Sequence, residues 1–241
     1  MLDKVNEINY VRAIMSKKTR RWSTIFEQEC NGIYQSSSTS HSCHTANPCD
    51  DAYIGILDLQ EDVMHSVPTD LNFFQNLPLF IIVLESPHIE EFNDNGVAIG
   101  PAQGHTGNNI RKLLVQLLSP LKDCLQQKYR LMLMEAIPYQ CSNNISPVDR
   151  INTNKLFKKM WQQHRGGKNF KNRIRRYRPD VILNACTGGV SSISSATSLN
   201  GLVQQILIDY HEINQNVQLY YSNHPSRKKQ FQKGIFPYNS F

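Results

Sequence analysis

The sequence predicts an α/β protein, a three-layer α/β/α arrangement on a four-stranded parallel sheet. From Pro78 onward, strand-like runs alternate with helical segments, the pattern of a parallel sheet covered by helices. The first run, Leu79-Phe80-Ile81-Ile82-Val83-Leu84, is continuously apolar, as a strand buried on both faces must be. Ionisable side chains end or follow three of the four expected strands.

Residues 1–77 read as an N-terminal extension and 78–241 as the main domain. Asp3 to Glu29 fits one or two polar helices, and Gln35 to Cys49, rich in Ser, Thr, His and Asn, reads as a polar loop. After the first strand, Asn108 to Leu118 has Ile110, Leu113, Leu114, Leu117 and Leu118 at helical spacing. Tyr129 to Ile137 is the second strand, stopped by Pro138. Asn152 to Gln163 and Asn169 to Tyr177 are helical, and Val181 to Ala185 is the third strand, ending at Thr187-Gly188-Gly189. Leu199 to Ile213 is a helix and Val217 to Tyr221 the fourth strand.

With 40% hydrophobic residues in 241, the chain can build a packed core. No apolar run approaches the roughly 20 residues that cross a bilayer. The N-terminus carries acids and no apolar h-region, so a cytoplasmic protein without membrane contact is expected. The net charge is +6, which favours a polyanionic partner. Ten Lys and Arg lie between Lys155 and Arg178 with no acid among them, Arg173, Arg175 and Arg176 included. Phe157, Trp161, Phe170 and Tyr177 interleave with them. This is either a phosphate-binding stripe or a solvated helical face with its aromatics in the core. The six cysteines are irregularly spaced, so no disulfide framework is expected. Cys30, His41, Cys43, His44 and Cys49 are the weak metal candidates, without a Cys-x-x-Cys pair. Neither a metal nor a cofactor is expected.

Parallel sheets bind ligands at the carboxyl ends of their strands. The segments to inspect are Glu85-Ser86-Pro87-His88, Glu135 to Gln140, Cys186 to Gly189 and Asn223-His224-Pro225-Ser226. Leu84-Glu85-Ser86-Pro87-His88, the Gly-rich Gly100 to Gly107, and His224-Pro225-Ser226 occur in the order and positions of the uracil-DNA glycosylase superfamily. In that superfamily Gly-Gln-Asp-Pro-Tyr-His or Gly-Glu-x-Pro-Gly follows strand one, and His-Pro-Ser or His-Pro-Ala follows strand four. The sequence resembles it over about residues 78 to 236.

The resemblance implies hydrolysis of the N-glycosidic bond of a base flipped out of DNA, by a monomer. Glu85 would stabilise positive charge on the sugar or activate water, and His224 would donate to the departing base. Ser86, Pro87, His88, Phe92, Ile99, Glu135 and Asn223 are expected around the base. Ser86 stands where one family has Asp, and Leu84 where Gly is usual. His105 and Thr106 at a helix start, and Ser226, Arg227, Lys228 and Lys229, are expected on phosphates. Phe231 or Arg227 would fill the vacated stack. Glu135 stands where uracil enzymes place an Asn. An ionised Glu accepts from the cytosine N4 amino group and repels uracil O4. Gly96 to Gly100 holds no aromatic residue to stack on a base, so a wider pocket for a hydroxymethylated or glucosylated cytosine is expected. Such bases occur in phage DNA, which points to antiviral defence. The competing readings are a uracil repair enzyme, a silent binder of modified DNA, and a nucleotide or nucleoside hydrolase.

Overall fold

In the computed structural model, which describes residues 22–33, 47–141, 154–186 and 199–238, a seven-stranded mixed sheet organises the chain. The elements are α1 (residues 22–33), β1 (Ala52–Asp58), β2 (Val63–His65), α2 (Leu71–Asn76), β3 (Leu79–Leu84), α3 (His105–Leu118) and β4 (Lys128–Glu135). There follow α4 (residues 154–163, closed by a π-type turn), α5 (Gly166–Tyr177), β5 (Val181–Asn184), α6 (Leu199–Ile213), β6 (Gln218–Ser222), α7 (Lys228–Phe231) and β7 (Ile235–Pro237).

The strand order is β2-β1-β4-β3-β5-β6-β7. The four expected strands β4, β3, β5 and β6 lie side by side and run parallel. They are not the whole sheet, which corrects the four-stranded expectation. β1 adds antiparallel to β4, β2 to β1, and β7 to β6. The additions were hidden for local reasons. Gly55 interrupts β1 at a register shift, with φ near +150°, where a side chain would collide with the backbone of His65. β2 and β7 have three residues each, too few to show a period.

Residues before position 78 share this sheet and its core. β1 pairs along β4 from Ala52↔Leu133 to Asp58↔Lys128, and Phe26, Cys30 and Ile33 of α1 are buried with the main cluster. Residues 1–21 and 34–46, which hold much of the expected polar helix and loop, lie outside the described residues.

Side chains of β3 alternate between two cores. Leu79, Ile81 and Val83 join Met132, Met134 and Ile182 under α1, α4, α5 and α6. Phe80, Ile82 and Leu84 join Leu131, Leu133 and Leu183 under α3, which contributes Ile110, Leu114 and Leu118. Helices therefore cover both faces. Each large apolar residue of β3 contributes about 1.5–3 kcal/mol by leaving water. Asp180 sets the entry of β5 beside β3: its carboxylate accepts from Leu79 N–H at 2.7 Å, and its own N–H donates to Leu79 O at 2.9 Å.

Gly107 lets α3 start close to the loop before it. A Cβ there would overlap the carbonyl oxygen of Ala102, itself buried with a positive φ of 53°. Gly107→Ala is expected to destabilise the fold by about 1–3 kcal/mol through overpacking. A urea titration reads this as a lower midpoint with an unchanged slope.

Candidate active site

The connection leaving β3 runs outward to β4 and the connection leaving its neighbour β5 runs the other way to β6, so the topological switch lies between β3 and β5. Glu85 ends β3 at this point. Backbone pairing continues past the strands, with Ala136 N–H donating to Leu84 O and Ile137 N–H to Glu85 O. Strand alternation directs Glu135, opposite Leu84, toward the α3 face, and Glu85, the residue after β3, acts on Cys141 and Cys186 of the α5–α6 core. β6 lies two strands from β3, so His224 leaves the sheet roughly 10 Å from Glu85 at the usual strand spacing.

The carboxyl edge is dense in buried polar groups. Glu85, Glu91, Glu135 and Gln140 are all buried, as are Cys141 and Cys186. Burial raises the Glu135 pKa well above 4.5, and the neighbouring Glu91, Asp51 and Glu85 add to the rise against Arg173. Burial likewise raises Glu91 to about 7. Asp51 is raised by desolvation despite Arg173. Cys141 and Cys186 are pushed up by burial and by Glu85, and Ser86 hydrogen-bonds Cys141. Among the described residues, Oε2 of Glu91 and of Glu135 has no hydrogen-bond partner. Buried carboxylates in this state are costly and concentrate at functional sites. Burial and the acidic neighbours thus favour the protonated form of Glu135, which offers one donor and one acceptor where the ionised form only accepts.

His224 is half-buried. Its Nδ1 accepts the Ser226 N–H at 3.2 Å and lies 2.8 Å from Ser226 Oγ. Because that N–H can only donate, the neutral ring carries its proton on Nε2. Desolvation, then Arg227 and His88, lower the His224 pKa to about 4. At pH 7 His224 is thus a neutral donor through Nε2–H. Asn109 of α3 donates to Pro225 O at 2.7 Å, so the His-Pro-Ser loop rests on the start of α3. Asn223 donates to Gln230 O at 3.0 Å and holds α7 to the loop.

The loop after the first motif is organised by Glu91, whose carboxylate accepts the backbone N–H groups of His88 and Ala102. Pro87 and Phe92 are buried and Ser86 is half-buried. Ile99 faces solvent rather than a pocket floor. His105 is exposed and Thr106 half-buried at the start of α3, and neither caps it.

The basic stripe divides. Phe157, Trp161 and Phe170 are buried and stack in the core, as the solvated-face reading requires. Arg173 is not a phosphate ligand in waiting. It pairs with Asp51, donates from Nε to Asn169, and donates from Nη2 to the carbonyls of Glu135 and Ala136. Lys159 pairs with Glu29 at 2.6 Å. Arg175 and Arg178 are exposed and line a hollow with Pro179 and Val217, at the amino edge of the sheet, away from the motifs. Arg176 is exposed and lies over the ring of Tyr177. Ser226, Arg227, Lys228 and Lys229 are exposed as expected, but Phe231 is fully buried and cannot be a wedge.

Cys30 is disulfide-bonded and Cys49 is buried with its thiol pushed up by desolvation, so neither is a ready metal ligand. His41, Cys43 and His44 lie outside the described residues. The cluster Asp58, Glu61 and His65 sits on the β1–β2 hairpin, where Lys128 already pairs with Asp58 at 2.7 Å. A cavity of about 570 Å³ opens beside the exit of β4, lined by Trp22, Asp50, Asp51, Tyr139, Arg173 and Tyr177 among others. It does not include Glu85 or His224. Comparison with family models, curated proteins and solved structures finds no match. No helix among the described residues is long and apolar enough to cross a membrane.

Sequence reading missed Glu91, Asp51 and the network in which Asn184 donates to Asn200 and Gln204, and Gln204 to Tyr221. Glu91, six residues past Glu85 in the same loop, was the accessible signal. Unfolded, Glu91 ionises near 4.5; folded, near 7. Between these values the folded state holds a proton that the unfolded state has lost. Stability is therefore full below about pH 4.5 and falls as pH rises through 7. Glu91→Gln keeps an acceptor and removes this slope. Relative to wild type, urea denaturation should show it gaining about 3 kcal/mol between pH 4.5 and 7.5.

Proposed function

We propose that this chain is a DNA N-glycosylase acting on a flipped cytosine-type base, with Glu85 and His224 on either side of the bond. The observation that carries the reading is His224, a neutral imidazole whose Nδ1 is occupied by Ser226 N–H and whose Nε2–H is left as donor. A departing base gathers negative charge on its oxygen, and a pre-oriented donor stabilises it. The sugar gathers positive charge, which a carboxylate on the other side offsets. Glu85 ends β3 at the switch point and is directed to the face opposite the His-Pro-Ser loop, in keeping with that division. The three-layer arrangement of the glycosylase superfamily belongs to this reading.

In its protonated form Glu135 matches a cytosine edge, donating its O–H to N3 and accepting from the N4 amino group. Uracil is the second reading, because the same carboxyl can accept from N3–H and donate to O4. The absence of an aromatic residue from Gly96 to Gly100 favours a base with a bulky substituent, with phage DNA as the source.

Mass spectrometry of bases released from duplexes carrying C, U, 5-hydroxymethylcytosine or its glucoside tests the reading. Release of a modified cytosine is expected; release of uracil alone selects the second reading, and no release from any duplex overturns the enzyme. His224→Ala and Glu85→Gln should each lower the release rate by about 10²–10³-fold. The His224 contribution should be flat from pH 5 to 8 and change only as pH drops through about 4, where protonation of Nδ1 breaks the Ser226 N–H bond that orients the ring.

A further inference from the structure

Taking a base out of a duplex leaves a gap in the stack, and proteins that do so commonly fill it with an apolar side chain. The His-Pro-Ser loop has none to offer. Past Pro225 it presents Ser226, Arg227, Lys228 and Lys229, and Phe231 is in the core.

An apolar pair stands out elsewhere on the same rim. Val97 and Ile99 are 53% and 56% exposed. They are two residues apart on one extended arm, so their side chains share a direction. The hairpin that carries them is firmly built. Asn93 Oδ1 accepts from Asn95 N–H and Val97 N–H, Asn93 N–H donates to Val97 O, and Gly96 N–H donates to Asn93 O. Gly96 takes the left-handed turn at φ +69°, Phe92 bridges to Ala98, and Asn47 tethers Gly96 O at 2.8 Å. β-Branched side chains on such a support lose little entropy on insertion, which is what a wedge requires.

The hairpin is also wired to the site. Ile99 N–H donates to Glu91 O, and the Glu91 carboxylate holds the His88 and Ala102 N–H groups. His88 and Arg227 both act on His224. Exposed Arg227, Lys228 and Lys229 supply positive charge for the phosphates on that rim.

We propose that Val97 and Ile99 form the wedge that enters the DNA base stack when a base is extracted. This rests on the glycosylase reading. The test uses the full chain and a short duplex containing a tetrahydrofuran abasic analogue, with 2-aminopurine in the neighbouring pair. Anisotropy reads binding, and 2-aminopurine fluorescence reads unstacking. Wild type should bind and raise the fluorescence severalfold. The Val97→Ser, Ile99→Ser double variant should bind with little loss and leave the fluorescence near that of free duplex. Both positions are at the surface, so folding is not at stake. If the double variant raises the fluorescence as wild type does, the wedge is overturned and the glycosylase reading stands. If wild type does not bind the duplex, the reading and the wedge fall together.

Discussion

The pairing of β3 between β4 and β5 is the constraint from which the site follows. β3 is buried on both faces and along its whole length. It cannot shift by one residue without sending its apolar side chains to the wrong core. Its register therefore fixes where Glu85 emerges, and the pairing Leu84↔Glu135 fixes where Glu135 emerges beside it. Asp180 locks the other end of the strand to the entry of β5. The positions of the carboxyl groups are a by-product of core packing, although burying them is costly.

Electrostatics does the rest. Glu91, Asp51 and Glu85 act on Glu135 against the positive charge of Arg173. Protonation relieves this crowding, and burial adds to it, so Asp51, Glu91 and Glu135 all move up. His224 responds to the same desolvation in the opposite sense and loses its proton. One rim thus holds acids that favour their protons beside an imidazole that has given its proton up.

The sequence made much of the centre legible and little of the rim. The run Leu79–Leu84 and the helix Leu199–Ile213 end where their patterns end, because burial and periodicity are local signals. β1 was lost to Gly55, a residue chosen by its neighbour β2 rather than by its own strand. Arg173 and Phe231 were assigned by type and spacing, but Phe231 is buried and Arg173 is held by a partner distant in sequence, Asp51, 122 residues away. Charge counting cannot separate a paired arginine from a free one. The two motifs were visible as words, but the opposed faces of Glu85 and Glu135 appear only once strand register is known.

The two outer strands carry a consequence for the molecule as a whole. β2 and β7 are three residues long, β2 is largely exposed, and β7 ends in Pro237, which has no N–H to give. Neither offers a ladder on which another strand could be built. Among the described residues, both rims of the sheet therefore leave little backbone with which a further strand could pair.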